Sequence, residues 1–328
     1  MLLRALVTGA TGCVGANVAA ALLARDYAVR AMHRANSSLE ALDGLEPELV
    51  VGDILEPASL AAAMRGCALV FHVAAVSDYW RTPADRIYRV NVEGTRNVLA
   101  AALEAGVERL VYTSSIGALG VPTPGQLLDE SATFNLPPRR FPYGHAKHLA
   151  EQAVREAIAR GLDAVIVNPT GVIGVRDVHF IGGSLLREVR RGLAWFAPAG
   201  GLNWADAETV GEGHVLAAER GRTGERYLLG GENVSHRTAT ETVAEVVGGR
   251  RPLATLPRPA MGVIALLTDG FNALWPGPPL FSAEQVRLSG AGIYCDCRKA
   301  QQELGFPHTP FRVAVERAYA WYQAHGYL

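Results

Sequence analysis

The chain has 328 residues, with 31 basic and 32 acidic side chains and a formal net charge of −1. Apolar residues make up 49% and charged residues 19%, which favours a large folded core over disorder; the length allows one large domain or two that share a core. The balanced charge excludes the basic footprint of a nucleic-acid-binding protein. Only Lys147 and Lys299 are lysines, so arginine carries almost all of the positive charge.

Cysteine usage and hydropathy point to a protein of the reducing cytoplasm. Cys295 and Cys297 are separated by one residue and have no second ligand pair at a zinc-like spacing, so we expect no metal site. Four cysteines in a chain of this length do not form a disulfide framework. The uncharged stretch Ala5–Ala24 contains polar residues and glycines, and it lacks the compact block and cleavage site of a leader. We therefore expect neither a signal peptide nor a membrane span.

Strand-like and helix-like segments alternate through the first 170 residues. Short apolar runs predict strands at Leu2–Val7, Ala28–Met32, Leu49–Val51, Ala68–Val73, Leu110–Tyr112 and Ala164–Val167. Helical spacing predicts helices at Val14–Ala24, Ala58–Arg65, Val92–Ala105 and Gly144–Ala159. This alternation predicts an α/β fold with a doubly wound parallel (Rossmann) sheet covered by helices on both faces.

The alternation of strand-like and helix-like segments ends after residue 170. Glycines and two proline clusters, Pro252–Pro259 and Pro276–Pro279, interrupt it there. A last helix is predicted at Phe311–Ala324. This half predicts a smaller, mostly helical substrate-binding cap. The expected division assigns residues 1–173 and 207–232 to a dinucleotide-binding domain, and 174–206 and 233–328 to the substrate-binding domain.

A glycine-rich turn, Thr8–Gly15, lies between the first strand and the first helix. Gly9 permits the tight turn, Gly12 lets the backbone approach a pyrophosphate, and Gly15 lets helix and strand pack closely. The helix N-terminus adds free N–H groups and the positive end of its dipole. We expect this turn to contact a dinucleotide through Gly9, Thr11, Gly12, Cys13, Val14 and Gly15.

The end of the second strand discriminates between the two nicotinamide dinucleotides. An NAD site places a carboxylate there, whereas an NADP site uses a nearby arginine. His33 occupies the acidic position and Arg34 follows it, which favours NADP over NAD. Asp53, after the third strand, is a candidate acceptor for the adenine amino group; its alternative role is that of an acid at a helix start. The small residues that end the fourth strand, Val73–Ala75, suit backbone lying against a cofactor.

Tyr143 and Lys147 lie one turn apart on one face of a predicted helix. A neighbouring lysine is expected to lower the phenol pKa and make Tyr143 a usable acid or base. Ser115, at the end of the fifth strand, is placed to donate a hydrogen bond to a substrate oxygen. We predict these three residues as the catalytic group. Tyr79 and Trp80, after the fourth strand, are candidates to line the substrate pocket.

These motifs resemble the extended short-chain dehydrogenase/reductases of the NAD-dependent epimerase/dehydratase superfamily. Within it, the chain is most similar to dihydroflavonol reductase-like proteins and bacterial hopanoid-associated sugar epimerases. The resemblance implies Ser115, Tyr143 and Lys147 as the triad, and it implies that the helices holding Asn91 and Tyr143 build a homodimer. It further implies cofactor contacts from His33, Arg34, Asp53, Ile54, Val73, Ala74, Ala75, Asn91, Thr113, Tyr143, Lys147, Asn168 and Thr170.

The substrate is left open between a ketone or other carbonyl compound and a nucleotide sugar. Sugar-nucleotide epimerases often carry an Asn three residues before a Gly in the loop after the sixth strand. Counting back from Gly174 places Gly171 there, and counting from Gly171 places Asn168 there. Three functions therefore stand: an NADP-dependent reductase, a nucleoside-diphosphate-sugar 4-epimerase or dehydratase with tightly bound NAD, and a non-catalytic nucleotide-sensing protein.

Overall fold

Seven parallel strands form the central sheet of the protein. The computed structural model describes residues 3–78, 80, 82–274 and 282–328. The strands are β1 (Arg4–Thr8), β2 (Ala28–His33), β3 (Glu48–Val51), β4 (Leu69–His72), β5 (Arg109–Thr113), β6 (Ala164–Pro169) and β10 (Arg226–Leu229). Their order across the sheet is β3-β2-β1-β4-β5-β6-β10. The central strands are apolar on both sides because helices cover both faces, as the sequence predicts.

Helices flank the sheet on both faces. They are α1 (Cys13–Leu23), α2 (Pro57–Met64), α3 (Ala84–Tyr88), α4 (Gly94–Ala105), α5 (Pro142–Ala159) and α7 (Ala207–Arg220). The pair α1 and α7 packs at very short range, since a Cβ at Gly211 would lie 2.5 Å from the main-chain oxygen of Asn17. These observations confirm the doubly wound parallel sheet.

The helix predicted to begin at Val92 begins earlier than expected. α3 runs through a π turn, Arg89–Glu93, into α4. Such single wide turns insert one residue into the helical ladder and re-aim the side chains beside them. Here the π turn contains Asn91, whose side chain is buried against the loop after β4.

The remaining chain forms the smaller, mostly helical part. Its helices are α6 (Ser184–Arg190), α8 (His236–Val247), α9 (Arg258–Leu274), α10 (Ala283–Ser289) and α11 (Phe311–Ala324). It also holds two small sheets that the sequence did not predict, formed by β7 (Gly171–Ile173), β9 (Gly201–Asp206), β11 (Glu232–Ser235) and β13 (Gly292–Ile293), and by β8 (Phe196–Pro198) and β12 (Ala254–Leu256). The proline cluster Pro276–Pro279 lies outside the described residues. The division into two domains stays a prediction. β10 belongs to the segment that was assigned to the dinucleotide-binding domain, and it lies beside β6 in the large sheet.

Across the described ranges, every helix is too short or too polar to cross a bilayer. The same ranges hold no group of His, Cys, Asp and Glu side chains arranged to bind a metal ion.

Candidate active site

The glycine turn joins β1 to α1 with almost no room for side chains. Gly9 has φ +67°, and a Cβ there would lie 2.6 Å from the Cα of Ala74. A Cβ at Gly15 would lie 2.2 Å from the main-chain oxygen of Gly9, so only glycine permits this contact of helix and turn. A Cβ at Gly12 would meet one atom, 3.5 Å away, so this residue faces open space at the N-cap of α1. The helix N-terminus and its N–H groups therefore face an open cradle.

A chain of hydrogen bonds fastens this turn to the next strand. The hydroxyl of Thr8 lies 2.9 Å from His72 Nδ1 and accepts bonds from the backbone N–H groups of Val73 and Ala74. His72 Nε2 lies 3.0 Å from the hydroxyl of Thr95, which in turn donates to the main-chain oxygen of Asn91. Burial lowers the pKa of His72 to about 3, so its ring is neutral and bridges the two hydroxyls. This bridge was not predicted from the sequence.

The small residues after β4 lie beside the glycine turn, and Asn91 holds the loop that they begin. Val73, Ala74 and Ala75 are half-buried. Asn91 is 1% exposed, and its amide accepts a bond from the N–H of Val76 and donates to the carbonyl of the same residue. In the structure the Asn91 amide therefore orders the loop after β4, and the cofactor contact expected of it stays a prediction.

The end of β2 and the loop after β3 hold the residues that were predicted to contact the adenosine part of the cofactor. Arg34 is exposed, and its main-chain oxygen lies 3.0 Å from His33 Nδ1. The carboxylate of Asp53 accepts a bond from the N–H of Leu55 through one oxygen, within the turn that precedes α2. Ile54 is buried and packs against Gly94. The positions His33, Arg34 and Asp53 remain at the surface, where a ribose and base can reach them.

Ser115, Tyr143 and Lys147 meet at the carboxyl end of β5. Ser115 and Tyr143 are half-buried, and their side chains are hydrogen-bonded to each other. The hydroxyl of Ser115 also accepts a bond from the N–H of Gly117. Lys147 is 3% exposed; its Nζ donates to the main-chain oxygen of Thr113 at 2.7 Å and lies 5.2 Å from the centre of the Tyr112 ring. The structure brings the three predicted residues into one cluster at the sheet edge where doubly wound folds bind ligands.

The structure does not show the lowered pKa that was expected for Tyr143 beside Lys147. Burial raises the pKa of Tyr143, and only the hydrogen bond from Ser115 opposes that rise. The Nζ of Lys147 donates to the main chain of β5. Burial also lowers the pKa of Lys147, to about 7, against the attraction of Glu151.

A buried acid that the sequence did not single out supports this cluster. Glu151 lies one turn after Lys147 on α5 and is 2% exposed. It accepts bonds from the hydroxyl of Ser114 at 2.6 Å and from Asn168 Nδ2 at 2.8 Å, and it pairs with Arg226 at 2.6 Å. One feature of the sequence could have identified Glu151: it is an acid four residues after the lysine, on the side of α5 that faces the sheet.

Two further predicted cofactor residues, Asn168 and Thr113, are held inside this network. Asn168 is 0% exposed, and its amide also donates to the main-chain oxygen of Ser115. Its expected contact with the cofactor stays a prediction, and in the structure its buried amide positions Ser115. The hydroxyl of Thr113 lies 2.9 Å from His214 Nε2. Thr170 is 8% exposed, and its hydroxyl has no hydrogen-bond partner within the described residues.

The candidate pocket aromatics fall partly outside what the structure describes. Trp80 is half-buried in the loop after β4. Tyr79 lies outside the described residues.

The family model described as NAD dependent epimerase/dehydratase matches residues 5–230 of this chain. That span runs from β1 to β10 and contains the glycine turn, the Ser115–Tyr143–Lys147 cluster and the buried network behind it. The chain belongs to the NAD dependent epimerase/dehydratase family.

Named relatives of this epimerase/dehydratase family member span nearly its whole length. A Synechocystis protein whose provisional name is dihydroflavonol 4-reductase is 39% identical over 328 residues, 98% of this chain and 95% of that one. Sterol demethylase protein B of Methylococcus capsulatus is 35% identical, over 98% of this chain and 99% of that one. The structure of a nucleoside-diphosphate-sugar epimerase from Pseudomonas aeruginosa matches with a TM-score of 0.83 and 30% identity, over 99% of both chains. The protein is thus an NAD(P)-dependent enzyme of the extended short-chain dehydrogenase type.

The residues of the site fit the nicotinamide dinucleotide of this family. Gly12 leaves the N-terminus of α1 open to a pyrophosphate, as an anion at a helix N-terminus requires. The loop after β4 has small side chains at Ala74 and Ala75, beside the glycine turn. The buried hydroxyl of Thr170, at the end of β6, supplies a polar group for a ligand at the same edge of the sheet.

Proposed function

We propose that this enzyme is an NADP-dependent reductase that transfers hydride to the carbon of a ketone or other carbonyl compound. The observation that carries the proposal is the cluster of Ser115, Tyr143 and Lys147 at the carboxyl end of β5, at the sheet edge that also holds the open glycine turn. An acid, a hydrogen-bond donor and a cation at one ligand-binding edge are the groups that carbonyl reduction requires.

Each of the three side chains has a distinct role. Tyr143 gives its hydroxyl proton to the carbonyl oxygen as that oxygen gains negative charge. Ser115 donates a hydrogen bond to the same oxygen, and its hydroxyl is oriented by the N–H of Gly117. Lys147, held by Thr113, contributes positive charge beside the site and binds the ribose that carries the nicotinamide. The nicotinamide supplies the hydride when it is bound.

The protonation state of Tyr143 is compatible with reduction. Because burial raises its pKa, the phenol is protonated at neutral pH, which is the state that a proton donor needs. A 4-epimerase uses the same three side chains, so the choice between the two reactions rests on the loop after β6.

The loop after β6 favours a reductase over a nucleotide-sugar enzyme. One counting of the motif makes Asn168 the residue that would meet a diphosphate, but its side chain is buried and bonded to Glu151 and Ser115. The other counting selects Gly171, whose Cβ, if present, would lie 2.5 Å from Leu202 Cδ2. Neither position presents an amide to a diphosphate. The 39% identical relative, named for reduction of a dihydroflavonol, supports the same choice.

The preference for NADP rests on the end of β2. His33 replaces the carboxylate that would repel a 2′-phosphate, and the exposed guanidinium of Arg34 follows it. A guanidinium binds phosphate oxygens through two parallel hydrogen bonds. NADP is therefore the proposed cofactor.

A nucleoside-diphosphate-sugar 4-epimerase is the second candidate, favoured by the likeness to the Pseudomonas aeruginosa structure. The two reactions differ in their consumption of cofactor, since a reductase oxidises one NADPH for each carbonyl reduced and an epimerase returns its hydride. The test is the loss of NADPH absorbance with a panel of ketones, aldehydes and nucleotide sugars. Stoichiometric oxidation with a carbonyl compound supports the reductase, whereas sugar epimerisation without net oxidation rejects it.

We also propose a homodimer in the cytoplasm. The helices that hold Asn91 and Tyr143 present the half-buried side chains of Tyr88 and Leu149, which suit a helix-to-helix contact between copies. All four cysteines are free thiols, as is usual in a reducing compartment. Light scattering after size exclusion tests the dimer: a monomer at micromolar concentration rejects it.

A further inference from the structure

Exposed large apolar side chains are concentrated in two short segments of the cap. Thirteen such side chains occur in the described part of the chain, and nine of them lie within residues 193–196 and 253–274. On the surfaces of soluble proteins such residues usually occur singly, so a concentration of this kind marks an interaction site.

The two segments are adjacent in space. β8 and β12 pair in parallel, with Phe196 opposite Ala254, and the N–H of Leu253 donates to the main-chain oxygen of Trp195 at 2.9 Å. β12 leads through Pro257 directly into α9. We call the exposed side of β8, β12 and α9 the cap surface.

α9 contributes an uncharged outer face to the cap surface. Met261 and Ala265 are buried, with Met261 against Gly290 at the end of α10. On the opposite side of the helix, the exposed fractions are 60% for Val263, 68% for Leu266 and 87% for Leu274. α9 has a single acid, Asp269, which lies toward α10 and pairs with Arg287.

Arginines accompany this apolar face. Residues 187–198 and 249–274 contain six arginines and two acids, whereas acidic residues outnumber basic ones in the rest of the chain. Arg191, Arg250 and Arg258 are exposed, and Arg258 begins α9. Apolar side chains flanked by arginines match the interface of a bilayer that carries anionic headgroups.

We propose that the cap surface docks on an anionic lipid bilayer, with α9 lying in the plane of the interface. In this position Leu266 and its apolar neighbours enter the acyl boundary, and the arginines contact the headgroup phosphates. A second copy of the chain fits less well, because the same surface offers few acids to pair with these arginines. The inference is independent of the proposed reaction.

Vesicle flotation of the full-length protein tests the proposal. We expect the protein to float with vesicles of equal parts phosphatidylglycerol and phosphatidylcholine, to bind pure phosphatidylcholine weakly, and to lose binding as salt is raised. The Leu266→Ser/Leu267→Ser variant should bind at least about tenfold more weakly, because each buried leucine contributes close to one power of ten in partitioning. The Arg250→Ser/Arg258→Ser variant should lose the preference for phosphatidylglycerol.

A matched double variant, Leu3→Ser/Leu49→Ser, removes two exposed leucines at the nucleotide-binding sheet and should bind vesicles like the wild type. Circular dichroism and NADPH binding show whether each variant is folded. Absence of flotation by the wild type overturns the proposal. Equal loss in both leucine variants also overturns it, as does a leucine effect on self-association without an effect on flotation.

Discussion

The ammonium of Lys147 donates a 2.7 Å hydrogen bond to the main-chain oxygen of Thr113, the last residue of β5. This contact ties α5, which begins beside Tyr143, to the strand that ends two residues before Ser115. Because Lys147 is 3% exposed and its pKa is lowered to about 7, small changes around it alter the charge beside the site. Lys147 therefore affects both the geometry of the cluster and the charge beside it.

Replacing Tyr143 with Phe should lower turnover by about two to four orders of magnitude, because the proton donor is lost while the ring remains. NADPH affinity should change less than about twofold, since the glycine turn and Lys147 are intact. Steady-state oxidation of NADPH and titration calorimetry measure the two quantities. Tyr319→Phe, in α11, is the matched control and should retain wild-type turnover. A Tyr143→Phe enzyme with wild-type turnover would remove this residue from the chemistry.

Replacing Arg34 with Asp should weaken NADPH binding by about 10- to 100-fold and improve NADH binding. The change removes a phosphate-binding guanidinium and supplies a carboxylate for a ribose hydroxyl. Calorimetric titration of both cofactors measures the switch. Arg65→Asp, an exposed arginine after α2, should leave the preference unchanged. Equal affinities for NADPH and NADH in the wild type, unaffected by the Arg34 substitution, would contradict the assignment.

Replacing Glu151 with Gln should lower the free energy of unfolding by about 3 kcal/mol. Arg226, whose side chain is 10% exposed, then keeps a buried charge without its partner. Urea unfolding measures the loss. The half-exposed pair Arg237–Glu241 offers a control, and Glu241→Gln should cost less than about 1 kcal/mol. Similar losses in the two variants would show that the buried pair stabilises the protein no more than the half-exposed pair does.

Acid should destabilise the protein through its buried neutral histidines. Burial lowers the pKa of His72 to about 3 and that of His214 to about 4, whereas both take up protons near pH 6.5 when the chain is unfolded. Between about pH 6.5 and 4 the unfolded chain therefore binds protons that the folded chain does not. The free energy of unfolding falls in that window by up to about 1.4 kcal/mol per pH unit for each histidine.

Urea unfolding across this pH range checks the slope. His72→Asn should flatten it, and His308→Asn, at an exposed position, should leave it unchanged. An identical slope in the wild type and the His72 variant would refute the linkage.

The parts of the fold that were predicted from sequence share one property, a periodic pattern long enough to recognise. β2 and α11 begin where predicted, because continuous apolar runs mark buried strands and spaced ones mark amphipathic helices. β8 and β12 have three residues each, which is too short for a period to emerge. Their pairing joins segments far apart in the chain, and no local pattern encodes it.

The site residues that were predicted belong to local sequence motifs, and the missed ones depend on contacts between distant parts of the chain. The glycine turn and the Tyr143–Lys147 pair are local motifs, so their spacing revealed them. The bond between Glu151 and Arg226 joins residues 75 apart in the chain and emerges only from the folded structure. The burial of Asn91 and Asn168 likewise depends on tertiary packing, so no local motif indicated it.

The most direct test of a reductase that exchanges NADP is the identity of the nucleotide retained after exhaustive dialysis of the purified protein. Mass spectrometry of the denatured sample identifies what is bound. The account predicts a protein free of nucleotide that then binds NADPH reversibly and more tightly than NADH. Stoichiometric NAD that survives dialysis would contradict it and would identify an enzyme that keeps its hydride, as an epimerase does.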